Sequence, residues 1–203
     1  MASQPDRALL EFLYHRKPES HKGDHGRVLV VGGSSRYAGA PALAGLAALR
    51  TGADIAAILA PSAVANAIRS FSPDLIVYEY KGKHLNANGL VEFRRIHRKF
   101  DSFVLGSGLG LEKESGTALR AMAGLLKKGK KKFVLDADGL KLLKPADVAG
   151  CRCVVTPHRK EYLAFFGKEK PRDVCVILKG NEDRITFGKK IALYATGDRK
   201  SVV

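Results

Sequence analysis

The sequence predicts an α/β protein: a three-layer α/β/α sandwich around a mostly parallel sheet that gains antiparallel strands near the C-terminus. Two observations predict it. Short apolar runs at 28–31, 55–59, 75–78, 102–105, 133–135, 153–155 and 174–178 alternate with stretches of helical spacing, the pattern of βαβ units. After Gly180 the alternation stops, and two β runs, 184–187 and 191–195, are joined through Gly188-Lys189-Lys190 as a hairpin.

The elements follow in order. Residues 7–15 read as a short amphipathic helix and 22–26 as a loop. The run 28–31 ends in Gly32-Gly33-Ser34, a loop carries Tyr37, and Gly39-Ala40-Pro41 opens a helix rich in alanine. Pro41 suits a first helical turn, where its missing N–H costs nothing. A helix over 63–70 follows Pro61-Ser62, and a helix over 90–99 carries Arg94, Arg95, Arg98 and Lys99 on its wet face. The helix over 115–126 places Leu119, Met122, Leu125 and Leu126 on one side. A short helix covers 139–143, and another covers 159–166. No internal repeat or long linker divides the chain, so one domain over 1–203 is expected.

Composition narrows the function. An apolar content of 45% suits a globular core. No apolar run approaches the roughly 18 residues that span a bilayer, and the first residues have no basic segment before an apolar core. A cytoplasmic protein that does not enter membranes is expected. Cys151, Cys153 and Cys175 are too few and too tightly spaced for a disulfide framework or a zinc pair, and read as packed apolar residues. The formal charge is +15, with its densest run at Lys127-Lys128-Gly129-Lys130-Lys131-Lys132. Aromatic residues do not interleave with these cations and no nucleic-acid motif appears, so the expected partner is a small polyphosphate rather than a nucleic acid.

The chemistry concentrates in the loops after the strands. Gly32-Gly33-Ser34, Gly106-Ser107-Gly108-Leu109-Gly110, Asp136-Ala137-Asp138-Gly139, Thr156-Pro157-His158-Arg159-Lys160-Glu161 and Lys179-Gly180-Asn181-Glu182-Asp183 each follow an apolar run. In a parallel sheet these ends share one edge and converge. A strand, glycine turn and helix start make a site for an anion, because the helix N-terminus exposes backbone N–H groups. The glycine pattern is not the G-x-G-x-x-G of dinucleotide binding. Each loop also has a plain structural reading: turns for the glycines and Lys179-Gly180, helix caps for Asp136, Asp138 and Thr156, a packed or capped imidazole for His158.

Taken together, GGSSRYAGAP, GSGLG, LDADGL, TPHRKEYLAFFG and LKG, in this order, resemble the ADP/ATP-dependent NAD(P)H-hydrate dehydratases, the YjeF C-terminal-type members of the ribokinase-like superfamily. The resemblance runs from about Lys22 to about Phe187. It implies a repair lyase that returns NADHX or NADPHX to NAD(P)H, driven by ADP or ATP, with Mg²⁺ able to accompany the phosphates but no dedicated metal site. Asp136 and Asp138 are the only carboxylates that suggest themselves for such an ion. On the same resemblance Ala40, with Gly39 and Tyr37 beside it, Gly108 and His158 contact the hydrated cofactor; Lys179, Gly180, Asn181, Glu182 and Asp183 hold the adenine nucleotide; and the protein self-associates.

The chain departs from the family in several places. Ser107 stands where Gly-Pro-Gly is usual, and Asp183 where Thr is usual. The family's G-[TS]-G-D loop, source of the catalytic base, is not found. Ala195-Thr196-Gly197-Asp198 reads as a hairpin turn, and the base stays unassigned. Only GKEKPRD lies between Phe166 and Val174, where a further helix is usual. The C-terminal part is therefore expected to be reduced or to lie outside these 203 residues. Two rival functions share the loops: a kinase acting on a hydroxymethyl or hydroxyethyl group, and a nucleotide-binding module without turnover.

Overall fold

Alternation along β1 (Arg27–Val31) decides which side of the molecule each residue builds. Leu29 and Val31 point to one face of the sheet and Val30 to the other, and all three are fully buried. The computed structural model describes residues 18–167, 174–188 and 190–194. The expected helix over 7–15, the GKEKPRD residues 168–173 and the Ala195–Asp198 turn lie outside them.

From β1 the chain runs through α1 (Gly39–Arg50), β2 (Ile55–Pro61), α2 (Ser62–Arg69), β3 (Leu75–Tyr80) and α3 (Ala87–Ile96), which ends in a 3₁₀ turn, His97–Lys99. It then passes through β4 (Ser102–Leu105), α4 (Lys113–Lys128), β5 (Lys132–Leu135), α5 (Asp138–Leu142), α6 (Pro145–Val148), β6 (Arg152–Val155), α7 (Arg159–Phe166), β7 (Cys175–Leu178), β8 (Asp183–Phe187) and β9 (Lys190–Tyr194). The strands form one sheet in the order β3-β2-β1-β4-β5-β6-β7-β8-β9. Pairing is parallel from β3 across to β7 and antiparallel over β7-β8-β9, as the sequence predicts. The registers of the late hairpin pair Thr186 with Ile191 and Phe187 with Lys190.

Several boundaries differ from expectation. Strand β3 extends to Tyr80, because Glu79 and Tyr80 still pair with Ala60 and Pro61 of β2. Helix α3 begins at Ala87, three residues before the apolar pattern, because the Asn86 side chain accepts a hydrogen bond from Gly89 N–H. Helix α6 has no counterpart in the sequence pattern. Pro145 starts it, and the Asp147 carboxylate accepts from Lys144 N–H at 2.9 Å.

The sheet carries two cores. On one face Val30, Ile58 and Leu75 meet α1 and α2 through Ala42, Val64 and Ile68. Ala42 and Gly45 are the buried residues by which α1 lies close to the sheet. On the other face Leu29, Phe103, Phe133 and Val155 meet Phe93, Leu119 and Met122 from α3 and α4, and Phe165 and Phe166 from α7. One stretch of sheet differs. Val104, Val134 and Val154, which face away from this larger core, are half-buried and line a groove of about 650 Å³ with Ala44 and Ala48 of α1. The groove runs toward the strand beginnings, past Val28, Ser102 and Lys132, away from the loaded loops. Among the described residues no helix is long and apolar enough to cross a membrane.

Candidate functional site

The order β3-β2-β1-β4-β5 places a topological switch between β1 and β4. The chain leaves β1 toward β2 and leaves β4 toward β5, so the two loops part and open a crevice at the C-terminal edge. The loops remain locked by backbone hydrogen bonds: Gly33 N–H donates to Ser107 O at 2.9 Å, and Gly106 N–H to Val31 O at 3.2 Å. Between β1 and α1, Ser34 and Tyr37 exchange backbone hydrogen bonds at 3.1 and 2.9 Å. That tight turn projects Arg36 and a Tyr37 ring that is 51% exposed.

Gly108 shows how close the walls come. It has φ +68°, and a Cβ built there would lie 2.8 Å from Tyr37 Cβ and 3.7 Å from Ala40 Cβ. The structure therefore brings Tyr37, Ala40 and Gly108 into one contact. Ala40 is exposed at the start of α1 and Gly39 is half-buried beside it. Of these residues Tyr37 lines a cleft of about 470 Å³, with Ser34, Ser35, Arg36, Gly110, Leu111, Glu112, Asp138 and Lys141; Gly39, Ala40 and Gly108 stand behind Tyr37 and do not line it.

The Asp136-Ala137-Asp138 loop supports this wall from behind. Gly106 packs so tightly on it that a Cβ would lie 1.9 Å from Asp136 O. Ala137 takes φ 51°, ψ −120°, a conformation a non-glycine residue adopts only under strain. Neither aspartate is a side-chain cap: α5 has Ala137 at its N-cap, with no side-chain hydrogen bond. Asp138 instead ties two loops together. Its Oδ2 accepts Gly110 N–H at 3.0 Å, and its Oδ1 pairs with Lys141 at 3.2 Å. Asp136 Oδ1 accepts from Lys179 Nζ at 2.9 Å, joining the ends of β5 and β7 across the β6 loop, with both side chains about one-third exposed.

His158 stands at the end of β6, and the helix cap falls on it rather than on Thr156. Its Nδ1 accepts from Lys160 N–H at 3.1 Å and Glu161 N–H at 3.2 Å, while Glu161 Oε2 accepts His158 N–H at 3.0 Å. This capping box satisfies three backbone donors at the start of α7. Because Nδ1 is an acceptor twice over, the ring proton sits on Nε2, which presents a donor. Thr156 sits two residues before the cap position; its Oγ1 is buried without a partner among the described residues. Behind His158 the chain is held to the next strand, where Lys179 N–H donates to Pro157 O at 2.9 Å.

Of the residues expected to hold nucleotide, Lys179 follows β7, and Gly180 N–H donates to Asp183 Oδ1 at 3.0 Å across the turn. Asn181 and Glu182 lie exposed at its tip, and Asp183 begins β8. The hydrogen bond from Gly180 N–H gives Asp183 a structural task in this turn. His158 does not line the Tyr37 cleft; it lines the adjoining cavity. Sequence reasoning missed Lys141, which lines both spaces. Its position three residues after Asp138 in a helix was the available signal. Among the described residues no group of three or more His, Cys, Asp or Glu side chains could hold a metal ion.

Comparison with known proteins agrees with this architecture. Residues 28–197 match the Carb_kinase family, described as NAD(P)H-hydrate dehydratase. The chain is 41% identical over 203 residues to a bifunctional NAD(P)H-hydrate repair enzyme of Methanothermobacter thermautotrophicus, covering 90% of this chain and 39% of that protein. It is 32% identical over 204 residues to an ADP-dependent (S)-NAD(P)H-hydrate dehydratase of Cenarchaeum symbiosum, covering 92% of this chain and 70% of that one. The fold matches a ribokinase-like superfamily protein of Enterococcus faecalis with a TM-score of 0.80 at 18% identity, over 96% of this chain and 72% of that one. The chain spans about two fifths of the length of the bifunctional relatives.

Proposed function

The chain belongs to the NAD(P)H-hydrate dehydratase family, and from that premise we propose that it removes water from NADHX or NADPHX with ADP or ATP as the driving nucleotide. The observation that carries the reading is the meeting of Tyr37, Ala40 and Gly108 at the β1/β4 switch, on the strand edge that also bears the Lys179 ammonium. A ring substrate fits the apolar ledge of Tyr37 and Leu111 in the cleft, and a polyphosphate fits the cationic strand end.

The chemistry follows from the leaving group. Hydroxide leaves poorly, whereas a phosphate ester leaves readily. The ring hydroxyl attacks the terminal phosphorus of the nucleotide and loses its proton, and the bridging P–O bond breaks toward AMP or ADP. The C–O bond then breaks with its electron pair going to phosphate, and a proton leaves the neighbouring carbon to restore the double bond. The sum is hydrated cofactor plus ADP giving NAD(P)H, AMP and phosphate, or the same with ATP giving ADP. The protein's share is positioning and charge. Lys179 faces the transferred phosphate, and His158 offers its Nε2–H to the substrate. A Mg²⁺ ion accompanying the nucleotide would neutralise phosphate charge, and Asp136, whose Oδ2 accepts no hydrogen bond among the described residues, would be the carboxylate to hold it.

The reading includes a single domain, a cytoplasmic setting and self-association of the chain. The test is to incubate the full-length protein with NADHX and ADP or ATP and to follow the return of NADH absorbance. Recovery above the spontaneous rate is expected, and its absence overturns the proposal. Nucleotide turnover that needs a simple alcohol and ignores NADHX would make the protein a kinase. ADP binding measured by calorimetry, with no turnover of either kind, would make it a binding module.

A further inference from the structure

The Tyr37 cleft has a neighbour. A second cavity of about 540 Å³ lies among α5, α6 and α7. Its floor is apolar, with Leu140, Leu143 and Phe165 all less than one-tenth exposed. Its rim carries Lys141, Lys144, Lys160 and the His158 imidazole. Lys141 lines both cavities, so the two spaces share one cationic side chain. None of residues 179–183, the segment proposed for the driving nucleotide, lines the second cavity.

We propose that the second cavity receives the other nucleoside end of the dinucleotide substrate, with the diphosphate over Lys141, and that Lys144 and Lys160 select the form bearing an additional phosphate, NADPHX. The inference rests on the reading of the Tyr37 cleft as the place of the hydrated ring. Such a substrate is two ring systems joined by a diphosphate, and it requires two pockets with a cation between them. An apolar floor with a few convergent polar groups suits a planar ring.

The polar groups are set in place. Lys141 is steadied by Asp138 at 3.2 Å, and an ammonium group has further donors to give a phosphate. His158 presents Nε2–H because its other nitrogen caps α7. The acid on this rim, Glu161, has Oε2 on the His158 backbone and Oε1 3.6 Å from His158 Nε2. Lys144 and Lys160 are exposed, and neither has a carboxylate within 4.0 Å among the described residues, so their charge is available to an added phosphate.

The test is the ratio of dissociation constants for NADPH and NADH, titrated by their fluorescence at low salt, which needs no turnover. NADPH should bind about tenfold more tightly, the size of one good charge-assisted contact. Lys144→Met with Lys160→Met should bring the ratio to about one, with an unchanged melting temperature. Lys128→Met, an exposed lysine at the end of α4, should leave the ratio as it is. Equal affinities in the unaltered protein, a ratio that survives the double substitution, or no binding of either dinucleotide overturns the inference. Competitive displacement of NADPH by ADP also overturns it, since the driving nucleotide would then own the cavity. A collapsed ratio in a protein that fails to convert NADHX would sink the lyase reading and leave this one standing.

Discussion

Around Gly106 and Gly108 the candidate site is made of backbone, whereas around His158 and Lys179 it is made of side chains. On the first wall, Gly33, Gly106 and Ser107 are locked by main-chain hydrogen bonds, and the spacing between loops is set by the absence of a Cβ. On the second, an imidazole, two carboxylates and an ammonium hold the loops by hydrogen bonds across 43 residues of sequence or fewer. The two walls should therefore fail differently. Steric failure of the first is abrupt and insensitive to salt. Loss of a polar tie in the second is graded, and substitutes of like geometry can rescue it.

Gly106→Ala should show the largest effect. The new Cβ would fall 1.9 Å from Asp136 O at φ +123°, so β4 and the Asp136 loop must separate. Backbone strain plus displaced packing should cost about 3–5 kcal/mol, enough for thermal melting to show a largely unfolded protein. A melting temperature within a few degrees of the unaltered protein would mean that the wall is not backbone-locked.

Gly108→Ala comes next. At φ +68° with Tyr37 Cβ 2.8 Å from the new methyl, the turn of residues 34–37 must yield. A stability loss of about 1–3 kcal/mol is expected. Weakened affinity for the hydrated cofactor should exceed that loss, because the methyl group pushes Tyr37 into the cleft. Equal loss of affinity for ADP would show that the damage is general.

His158 separates cap from ligand contact. His158→Ala removes the acceptor for two N–H groups and should cost about 1 kcal/mol in chemical denaturation. His158→Asp should recover most of that stability, since aspartate caps well, yet leave no donor for the substrate. Recovery of turnover together with stability would reduce His158 to a cap.

The smallest effect concerns the thiols. Burial pushes Cys153 well up, with the neighbouring Cys151 and Cys175 adding to it, and burial also raises Cys151 and Cys175. The folded thiols keep their protons where the unfolded ones lose them, so this contribution is fully present below about pH 8.5 and declines as pH rises through and above it. Denaturation midpoints should fall slightly between pH 8 and 10, and Cys153 should resist iodoacetamide until the protein unfolds. Rapid alkylation of Cys153 in the native protein would contradict its place in the core.

Much of this molecule was legible in the sequence because parallel strands buried on both faces write themselves as apolar runs. Residues 102–105 and 133–135 fall on β4 and β5 to within one residue. The start of α3 was not legible, since Asn86 caps it through a side-chain contact with no apolar signal. Helix α6 was hidden because its four residues, PADV, carry no period. The strand-end loops were visible as a set, but the pairings within them were not.

By itself, the sequence determined the parallel sheet, the late hairpin and the loops whose Gly, Asp, His and Lys share one edge. These depend on local period and turn chemistry, which neighbouring residues carry. Only the tertiary structure decided that Gly108 would press on Tyr37 and Ala40, that Lys179 would reach Asp136, and that His158 would cap a helix and line the second cavity instead of the Tyr37 cleft. The physical reason is distance along the chain. Asp136 and Lys179 lie 43 residues apart, and what joins them is the register of β5, β6 and β7, which no local pattern encodes.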